Sequence, residues 1–485
     1  MARGSGRLHV KGFLAFALIV VIVLAATNVW NPFPNLWSWV NRSQPLSEPD
    51  VVWQQRVGGS PKSVTIAGDT VIVQQRTSVE ARSLSTGVRL WERKADWVAV
   101  AGGDRDAVVA VGKLLVKGYD LVDPASGAVR RHDGDAIGVW SYRNALLDVH
   151  CDDAKDCTLT AWEPRGAKPL WTTFLEGVKV GWLADNPETL GTRRLATEQV
   201  DPGAAGPEQM PSLLGLPVDG RVQIVDTATG RMVQESEPGE NDKLVVAGGR
   251  LLRIGARSAD GTCYFTVVAR DPVTGQEVWR RAGVNLRTAD GAGCAQRQGP
   301  QGGRNVLVGV GPDGREAILD GYDGRLLWVG KEGEKLLAVD DRYTLARSAD
   351  KRTLGGYELT ASAARWTRPI DPKGGAALTP YAAVIVDHRP DRIVALDPRT
   401  GRELATLRSS AKVLAVGPAG MVIGDGRDIG YVRFAGAGSA PAGPDRPGAG
   451  PGSGPGRGDE PGSGGPTCAG PKDEVCPAPG GGKDG

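Results

Sequence analysis

The residues of this chain that are best suited to chemistry are its six cysteines. They form three local pairs along the sequence, Cys151 with Cys157, Cys263 with Cys294, and Cys468 with Cys476. Zinc sites use closer pairs such as C-x-x-C with further Cys or His ligands nearby, and these spacings do not supply them. An even number of cysteines in an exported chain is typical of disulfides. We therefore predict three disulfides, and favour pairing between sequence neighbours among the alternatives that six cysteines allow.

Acidic and histidine side chains give weaker indications of a site. The candidate cation ligands are Asp152-Asp153, Asp340-Asp341 and the turn at 424–428. None of these stretches has the alternating oxygen ligands of a calcium loop, so we interpret them as solvated turn acids. Three histidines lie beside turn or strand-end residues and have no visible partner, which predicts surface positions for His132, His150 and His388.

Known catalytic motifs are missing from the sequence, which contains no G-x-S-x-G, H-E-x-x-H or P-loop pattern. We therefore predict no catalytic, metal-binding or cofactor-binding residue. A site assembled from single residues of distant segments stays open, because sequence alone does not bring such residues together.

Charge and composition narrow the classes of function. The 58 basic and 56 acidic residues leave a net charge of +2, which is too small for the field that attracts nucleic acid. Hydrophobic residues make up 40% of the chain, while 69 glycines and 33 prolines require many turns. The composition excludes whole-chain disorder, argues against a nucleic-acid partner and favours a turn-rich all-β protein.

The N-terminus predicts a membrane anchor. An apolar run at 12–29 follows three basic residues and would span about 27 Å as a helix, close to the thickness of the hydrocarbon core. Trp30, Phe33, Trp37 and Trp39 follow it, as is typical of the headgroup region. We predict a cytoplasmic segment at 1–11, a transmembrane helix at 12–30, a linker at 31–50 and an extracellular remainder. A cleaved signal peptide is the alternative.

The C-terminus has a different composition from the rest of the chain. Of the last 50 residues, 27 are Gly or Pro, so this segment cannot bury enough apolar surface to offset its chain entropy. We predict a disordered tail at 436–485, in which Cys468 and Cys476 close a small loop.

A short motif recurs about every 40 residues in the middle of the chain. An apolar strand ends in Asp, a turn with Thr-Gly or Ser-Gly follows, and the next strand carries Trp. Asp and Pro favour such turns, and Gly takes the positive φ that other residues avoid. The predicted turn residues are Gly87, Asp123, Gly127, Gly166, Asp226, Gly230, Asp271, Gly275, Asp320, Gly324, Asp397 and Gly401. The tryptophans expected to pack between neighbouring units are Trp53, Trp91, Trp171, Trp279, Trp328 and Trp366.

The strands around these turns predict the fold. Two or three short apolar or alternating runs precede each turn, which gives four strands per unit. Such a unit cannot bury both faces alone, and stacking in a closed ring solves this, so we predict a β-propeller over 51–435. A strand at 52–57 should complete the three strands at 413–434 and close the ring.

Two segments interrupt the repeat. The first, at 187–217, is rich in Pro and Gly, and we interpret it as a surface insertion, either without a role or as part of a binding face. The second, at 287–304, contains Cys294, which would attach it to the strand that carries Cys263.

The Asp-x-x-Thr-Gly-x-x-x-Trp pattern resembles the pyrroloquinoline-quinone-like propeller repeat, shared by quinoprotein dehydrogenases and by noncatalytic scaffolds such as the outer-membrane assembly lipoprotein. The signatures of WD40 and kelch repeats are missing. The motifs and the composite end unit add up to nine, but the family favours seven or eight blades. We therefore predict eight, within a range of seven to nine, with a degenerate unit in 178–235 or 284–370.

The resemblance identifies the fold better than the activity. Dehydrogenases of this family typically have adjacent cysteines, a tryptophan floor and a carboxylate-rich calcium site, and no two cysteines are adjacent here. Neither pyrroloquinoline quinone nor calcium is therefore expected. We predict a noncatalytic, membrane-anchored extracytoplasmic scaffold of the bacterial cell envelope that binds an envelope protein or glycan. A divergent quinone-dependent dehydrogenase and a ligand-sensing module are the alternatives.

Overall fold

The computed structural model describes residues 51–152, 156–176, 190–218, 221–237, 239, 242–289, 293–294 and 298–436. Within these ranges the chain forms 34 β-strands and two 3-10 helices, Asp104–Asp106 and Pro202–Ala205. The predicted anchor and linker, and the predicted tail apart from Gly436, lie outside them, as do Cys468 and Cys476. No helix among the described residues is long and apolar enough to cross a membrane.

The first sixteen strands are β1 (Val51–Arg56), β2 (Ser63–Ala67), β3 (Thr70–Gln74), β4 (Val79–Ser83), β5 (Arg89–Arg93), β6 (Trp97–Ala101), β7 (Val108–Gly112), β8 (Tyr119–Val122), β9 (Val129–Asp133), β10 (Gly138–Ser141), β11 (Leu146–Asp152), β12 (Asp156–Trp162), β13 (Pro169–Leu175), β14 (Leu213–Val218), β15 (Arg221–Asp226) and β16 (Met232–Ser236). The others are β17 (Asp242–Ala247), β18 (Arg250–Ala259), β19 (Thr262–Arg270), β20 (Glu277–Ala282), β21 (Val306–Val310), β22 (Glu316–Asp320), β23 (Leu326–Val329), β24 (Lys335–Val339), β25 (Tyr343–Arg347), β26 (Thr353–Glu358), β27 (Trp366–Pro369), β28 (Gly375–Leu378), β29 (Ala383–His388), β30 (Asp391–Leu396), β31 (Glu403–Leu407), β32 (Lys412–Gly417), β33 (Gly420–Asp425) and β34 (Asp428–Arg433).

These strands form nine antiparallel sheets in the described part of the chain, which we call blades 1 to 9. Blades 1, 2, 3, 5, 7 and 8 are β2–β5, β6–β9, β10–β13, β17–β20, β24–β27 and β28–β31. Blade 9 contains β32, β33, β34 and β1. Blades 4 (β14–β16) and 6 (β21–β23) have three strands each. The propeller is confirmed.

The predicted number of eight blades is wrong. Each repeat motif and the composite end unit forms a sheet of its own. The number of motifs and end units, nine, therefore predicts the number of blades better than the family preference does. The suspected degenerate stretches, 178–235 and 284–370, hold the two three-stranded blades. In both, the repeat turn lies between the last two strands, so among the described residues it is the first strand that these two blades lack.

The ring is closed by the two ends of the propeller sequence. Strand β1 pairs antiparallel with β34, from Val51 opposite Val432 to Arg56 opposite Asp428. The predicted closure between 52–57 and 413–434 is therefore confirmed.

The core is divided among the joints between blades. Nine clusters of buried apolar side chains are present, and each joins two consecutive blades, including the pairs 8/9 and 9/1. In blade 1 the second strand is buried on both faces, whereas the fourth strand is largely exposed. The first strands of neighbouring blades contact one another, which places them next to the central axis.

The antiparallel order defines two faces of the ring. The turns between first and second strands and between third and fourth strands lie on one face, which we call the upper face. The turns between second and third strands and the connections between blades lie on the lower face.

Two of the predicted disulfides are formed. Cys151 is bonded to Cys157 across β11 and β12, and Cys263 of β19 is bonded to Cys294. The second bond attaches the irregular segment before blade 6 to blade 5, as the sequence predicts.

Candidate functional site: the central channel

Five of the nine joints are built by the repeat residues. The indole of the fourth strand of one blade lies over the turn glycine of the next blade, and its Nε1 donates a hydrogen bond of 2.7–3.0 Å to a turn carbonyl. The pairs are Trp53 with Gly87, Trp91 with Gly127, Trp171 with Gly230, Trp279 with Gly324, and Trp366 with Gly401. These glycines have φ of 68–74°, and a Cβ would lie 2.5–2.8 Å from a ring atom. Other residues would therefore be both strained and too large.

The repeat aspartates stabilise the same turns. Asp123, Asp226, Asp271 and Asp397 each accept two main-chain N–H groups through Oδ1, at 2.8–3.2 Å. Asp320 accepts the N–H of Tyr322 at 2.7 Å. At Asp271, the hydrogen bonds from Thr274 and Val273 and the nearby Arg250 hold the pKa of the carboxyl below its usual range.

The other predicted repeat residues occupy less regular positions. Gly275 has φ of 69° and lies against Gln234 instead of a tryptophan. Gly166 closes a tighter turn by donating its N–H to Glu163 O at 3.0 Å. Trp328 packs edge-to-face on Tyr357 of blade 7, with ring centroids 5.7 Å apart. None of the repeat turn residues or joint tryptophans lines the described cavities of the channel.

The joint between blades 2 and 3 lacks the repeat tryptophan. Arg131 of β9 takes the position that Trp91 has in β5, since each pairs with the third strand just before the bulge. The Arg131 guanidinium carbon lies 3.8 Å from the Trp162 ring centroid, and Nη2 donates to the Tyr119 hydroxyl. A cation therefore fills the space that an indole fills elsewhere.

A buried carboxyl completes this joint. Asp148 is fully buried and accepts hydrogen bonds from Tyr119 Oη at 2.7 Å and Trp162 Nε1 at 2.9 Å. Its Oδ1 makes no hydrogen bond, and the nearest partner is His150 Nδ1 at 3.9 Å. Burial raises the pKa of Asp148, because these partners compensate only part of the lost hydration.

The histidines have partners that the sequence did not reveal. His132 Nδ1 lies 2.8 Å from Asp120 Oδ1, and His150 Nε2 lies 3.0 Å from Asp133 Oδ2. His132 is exposed, as predicted, and His150 and His388 are half-buried. The carboxylate partners of His132 and His150 lie at least 12 residues away in sequence, on or beside neighbouring strands, so only the expected lack of a partner is wrong. Strand register was the missing information.

Residues 190–212, which we call the plug, cross the central channel. The carbonyl of Leu190 accepts an N–H of blade 5 at 2.7 Å, and the N–H of Arg193 donates to a carbonyl beside blade 6 at 2.7 Å. Farther along, the N–H of Asp201 donates to Val413 O in blade 9 at 2.9 Å. Contacts with blades on opposite arcs of the ring place the plug inside the channel.

The predicted surface insertion at 187–217 is therefore wrong for its described part. Val200 and Ala204 are buried, and the short helix Pro202–Ala205 packs against β2 and β32. Asp201 caps this helix by accepting the N–H of Gly203 at 2.7 Å. A run of small residues with Pro and Gly looks like a loop in sequence, but here it fits between close-set inner strands.

The plug folds back on itself near the lower face. Its tip is a turn in which Val200 N donates to Thr197 O at 3.2 Å. Thr197 lies against Gly375 at the beginning of β28, and Gln199 Nε2 is 3.2 Å from His388 Nε2. The plug then returns to the upper face, where Arg143 N donates to Glu208 O at 2.7 Å.

The beginning of the plug lies beside β14, where the described part of blade 4 has no first strand. Leu190 N donates to Gly215 O of β14 at 3.0 Å. In blade 6, Asn285 pairs with Val310 and Gly302 pairs with Leu307, where a first strand would otherwise run. The inner wall of the ring is therefore irregular at blades 4 and 6 and regular elsewhere.

A cavity of about 570 Å³ remains between the plug tip and blades 6 to 8. It lies toward the lower face, because its walls include the beginnings of β24 and β28. Its lining includes residues 195–199 of the plug, residues 335–337, residues 372–376, and Arg287, Gln298, Gln301, Val308, Glu316 and Arg347. Its volume falls within the range of small-molecule sites.

The cavity is cationic. Its lining contains four basic side chains, Arg287, Lys335, Arg347 and Lys373, and two acidic ones, Glu198 and Glu316. Arg287 Nη2 forms a 2.8 Å ion pair with Glu316 Oε1. Arg347 Nη1 donates to the carbonyls of Pro372 and Gly374, at 2.9 and 3.2 Å.

Of the acidic stretches named from the sequence, Asp153 lies outside the described residues, and the two aspartates at 340–341 bind main-chain N–H groups. Asp340 Oδ1 accepts the N–H groups of Arg342 and Tyr343, and burial raises its pKa. Asp341 accepts the N–H of Asn305 at 2.7 Å. Among the described residues, no three His, Cys, Asp or Glu side chains form a group that could hold a metal ion.

No protein-family model matches the chain, and no curated protein matches it. Solved structures that match include the computationally designed protein Ika8, with 14% identity, 78% of this chain and 98% of that chain covered, and a TM-score of 0.38. BamB from Moraxella catarrhalis matches with 14% identity, 79% and 99% coverage and a TM-score of 0.33. Quinohemoprotein alcohol dehydrogenase from Comamonas testosteroni matches with 11% identity, 80% and 77% coverage and a TM-score of 0.36. Similarities this distant assign no activity to this chain.

Proposed function

We propose that this protein is a noncatalytic binding propeller that holds a protein or glycan of the cell envelope. The observation that carries the proposal is the plugged channel. The plug narrows the upper part of the channel, where cavities of about 30 and 130 Å³ remain, and leaves a cationic cavity of about 570 Å³ toward the lower face, which we call the cup. Concave, largely pre-formed sites with a few placed polar groups are typical of ligand binding.

Tryptophan, histidine and cysteine side chains, which often take part in catalysis, have structural partners here, and this supports the proposal. Five tryptophans are committed to blade joints, and His132 and His150 are hydrogen bonded to carboxylates outside the described cavities. The four cysteines within the described residues form two disulfides. These groups hold the ring together.

We also propose that the protein works without pyrroloquinoline quinone or calcium. Of the two carboxylates at the cavity, Glu316 is paired with Arg287, and the remaining charges are mostly basic. Calcium needs six to eight oxygen ligands, several of them carboxylates, and this lining does not fit that requirement. Titration with the quinone and Ca²⁺ should give no dye-linked oxidation of alcohols or sugars, and saturable binding with turnover would contradict the proposal.

The proposed location is the outer side of the cell membrane, with residues 12–30 as the anchor. Both ends of the propeller, Val51 and Phe434, lie at the upper face, because β1 begins there and β34 ends there. The cavity would then lie on the face opposite the tether. Protease added to intact cells should digest the propeller, whereas protection until lysis would contradict this location.

Cross-linking on intact cells tests the binding role. The full-length chain should give reproducible protein or glycan adducts. The control carries residues 1–50 on an unrelated soluble domain, so that it shares the proposed location but lacks the propeller. Adducts no different from those of the control would contradict the proposal.

A further inference from the structure

The net positive charge of the chain is concentrated in the lining of this cavity. Its four basic and two acidic lining residues leave a net charge of 4 − 2 = +2, which equals the formal net charge of all 485 residues. Charges of one sign in a concave site attract ligands of the opposite sign. The ligand is therefore expected to be an anion.

Two of the basic groups are available to such a ligand. Lys335 and Lys373 are exposed, and neither ammonium group forms an ion pair with a described residue. Arg287 is already paired with Glu316. Arg347 uses Nη1 to fix the 372–374 segment through carbonyls and retains its full charge, while its buried Nε has no partner.

The lining also offers groups that suit hydroxyls. Glu316 Oε2 is buried and accepts no hydrogen bond from the described residues, so it lacks a donor. Gln298 and Gln301 add side-chain amides, which both donate and accept. A buried acceptor without a donor costs free energy unless a ligand or water supplies one. Because Oε2 has no exposed surface, a ligand in the cavity does not reach it, and the groups that can meet ligand hydroxyls are the side-chain amides of Gln298 and Gln301.

No aromatic residue is present in the described lining, and the apolar residues are few, chiefly Leu195, Leu336 and Leu337. A flat aromatic ligand would find no stacking partner there. A neutral, apolar ligand would leave the two lysines and the two glutamine amides unused. The chemistry of the cavity therefore favours a small ligand that combines negative charge with hydroxyls.

We propose that the cavity binds a small anionic sugar, that is, a sugar that carries a phosphate or carboxylate group. Lys335 and Lys373 bind the anionic group, and the side-chain amides of Gln298 and Gln301 accept and donate hydrogen bonds with the hydroxyls. This inference rests on the proposed binding function and names the chemical class of ligand. The ligand could be a free sugar or the end of an envelope glycan, which share this chemistry.

Calorimetric titration of the full-length protein in detergent tests the inference. The probes are glucose 6-phosphate, glucuronate, glucose and inorganic phosphate. At least one charged sugar should bind saturably, and glucose and phosphate should bind at least about tenfold more weakly, since each lacks one class of contact. Comparison of the two charged sugars decides between phosphate and carboxylate.

Variants locate the site. Lys335→Ala/Lys373→Ala should weaken binding about tenfold or more, because it removes charge-assisted hydrogen bonds. The matched control is Lys113→Ala/Lys117→Ala, which removes the same charge from an exposed turn of blade 2 on the same lower face. It should change the affinity less than about twofold. Lys373→Gln alone provides a milder second variant, expected to weaken binding by a smaller factor.

Four results would overturn the inference. These are no saturable binding of either charged sugar, binding of phosphate as tight as that of glucose 6-phosphate, tight binding of glucose, and equal losses in the two double variants. If cell-surface adducts are still recovered in that case, the proposed binding function survives and only the ligand class is wrong.

Discussion

The two joints of blade 3, with blade 4 and with blade 2, are stabilised by different kinds of interaction. Toward blade 4, Trp171 covers Gly230 and donates to a turn carbonyl, as the repeat motif specifies. Toward blade 2, Arg131, Tyr119 and Asp148 form a buried polar network where the motif has no tryptophan. The comparison shows that a blade joint can form without the repeat tryptophan, even though Arg131 Nε, Arg131 Nη1 and Asp148 Oδ1 are buried there without a hydrogen-bond partner.

The two joints should respond differently to substitution. The apolar joint depends on volume and on glycine backbone geometry, so its stability should hardly depend on pH. The polar joint contains a buried carboxyl next to a histidine and an arginine, so its stability should change with pH. Three predictions separate them.

The largest effect is expected from Trp171→Ala, which removes a buried indole from the joint between blades 3 and 4. The free energy of unfolding should fall by about 3–5 kcal/mol. Trp279→Ala is the matched control, because Trp279 has the same motif position but is more exposed, and it should cost less. Denaturant unfolding measures both, and an equal or larger loss for Trp279→Ala would contradict the role of burial.

A smaller effect is expected from Gly230→Ala. Gly230 has φ of 71°, and an added Cβ would lie 2.7 Å from the Trp171 ring, so backbone strain and overpacking should together cost about 2–4 kcal/mol. Gly314 has φ of 78° and open space around the Cβ position, so Gly314→Ala should cost only the strain, about 1–2 kcal/mol. Equal thermal shifts for the two variants would show that the indole contact does not matter.

The smallest effect concerns pH at the polar joint. The pKa of Asp148 is raised by burial, so the folded protein holds this proton more tightly than the unfolded chain does. The resulting stabilisation is fully present below the unfolded pKa, near about 4, and is lost as pH rises through the folded pKa. Relative to Asp148→Asn, the wild type should therefore lose stability as pH rises.

Unfolding free energies of the two proteins at a series of pH values measure this difference. Repeating the series in a His150→Gln background isolates the carboxyl from its histidine neighbour, 3.9 Å away. A wild type that gains stability over the variant as pH rises would mean that Arg131 and His150 outweigh the burial of Asp148.

The sequence predicted those parts of the molecule that repeat. A turn motif with Asp, Gly and Trp is local, so it reveals the strands, the joints and the closure of the ring without knowledge of long-range contacts. The number of blades was wrong only because a family preference replaced the direct count. The pairing of neighbouring cysteines could also be predicted. Cys151 and Cys157 are close in sequence and lie opposite each other on adjacent strands.

The candidate site was not predictable, because it lies where the repeat is interrupted. Lys335 and Lys373 look like ordinary surface residues, and only the ring brings them together with Glu316 and the plug. The plug itself looks like a loop, since its small residues carry no periodic pattern. Asp148 is equally hidden, because no local pattern shows that it is buried against Tyr119, Arg131 and Trp162 in the joint between blades 2 and 3.

Site-directed photo-cross-linking on intact cells tests most directly whether the cup formed by the plug is the binding site. A photoreactive residue is introduced at Lys373, beside the cavity, and in a second protein at Lys113, on the same face but outside it. The account predicts reproducible envelope adducts from position 373 and few from position 113. Adducts from position 113 alone, or equal yields from both positions, would contradict it.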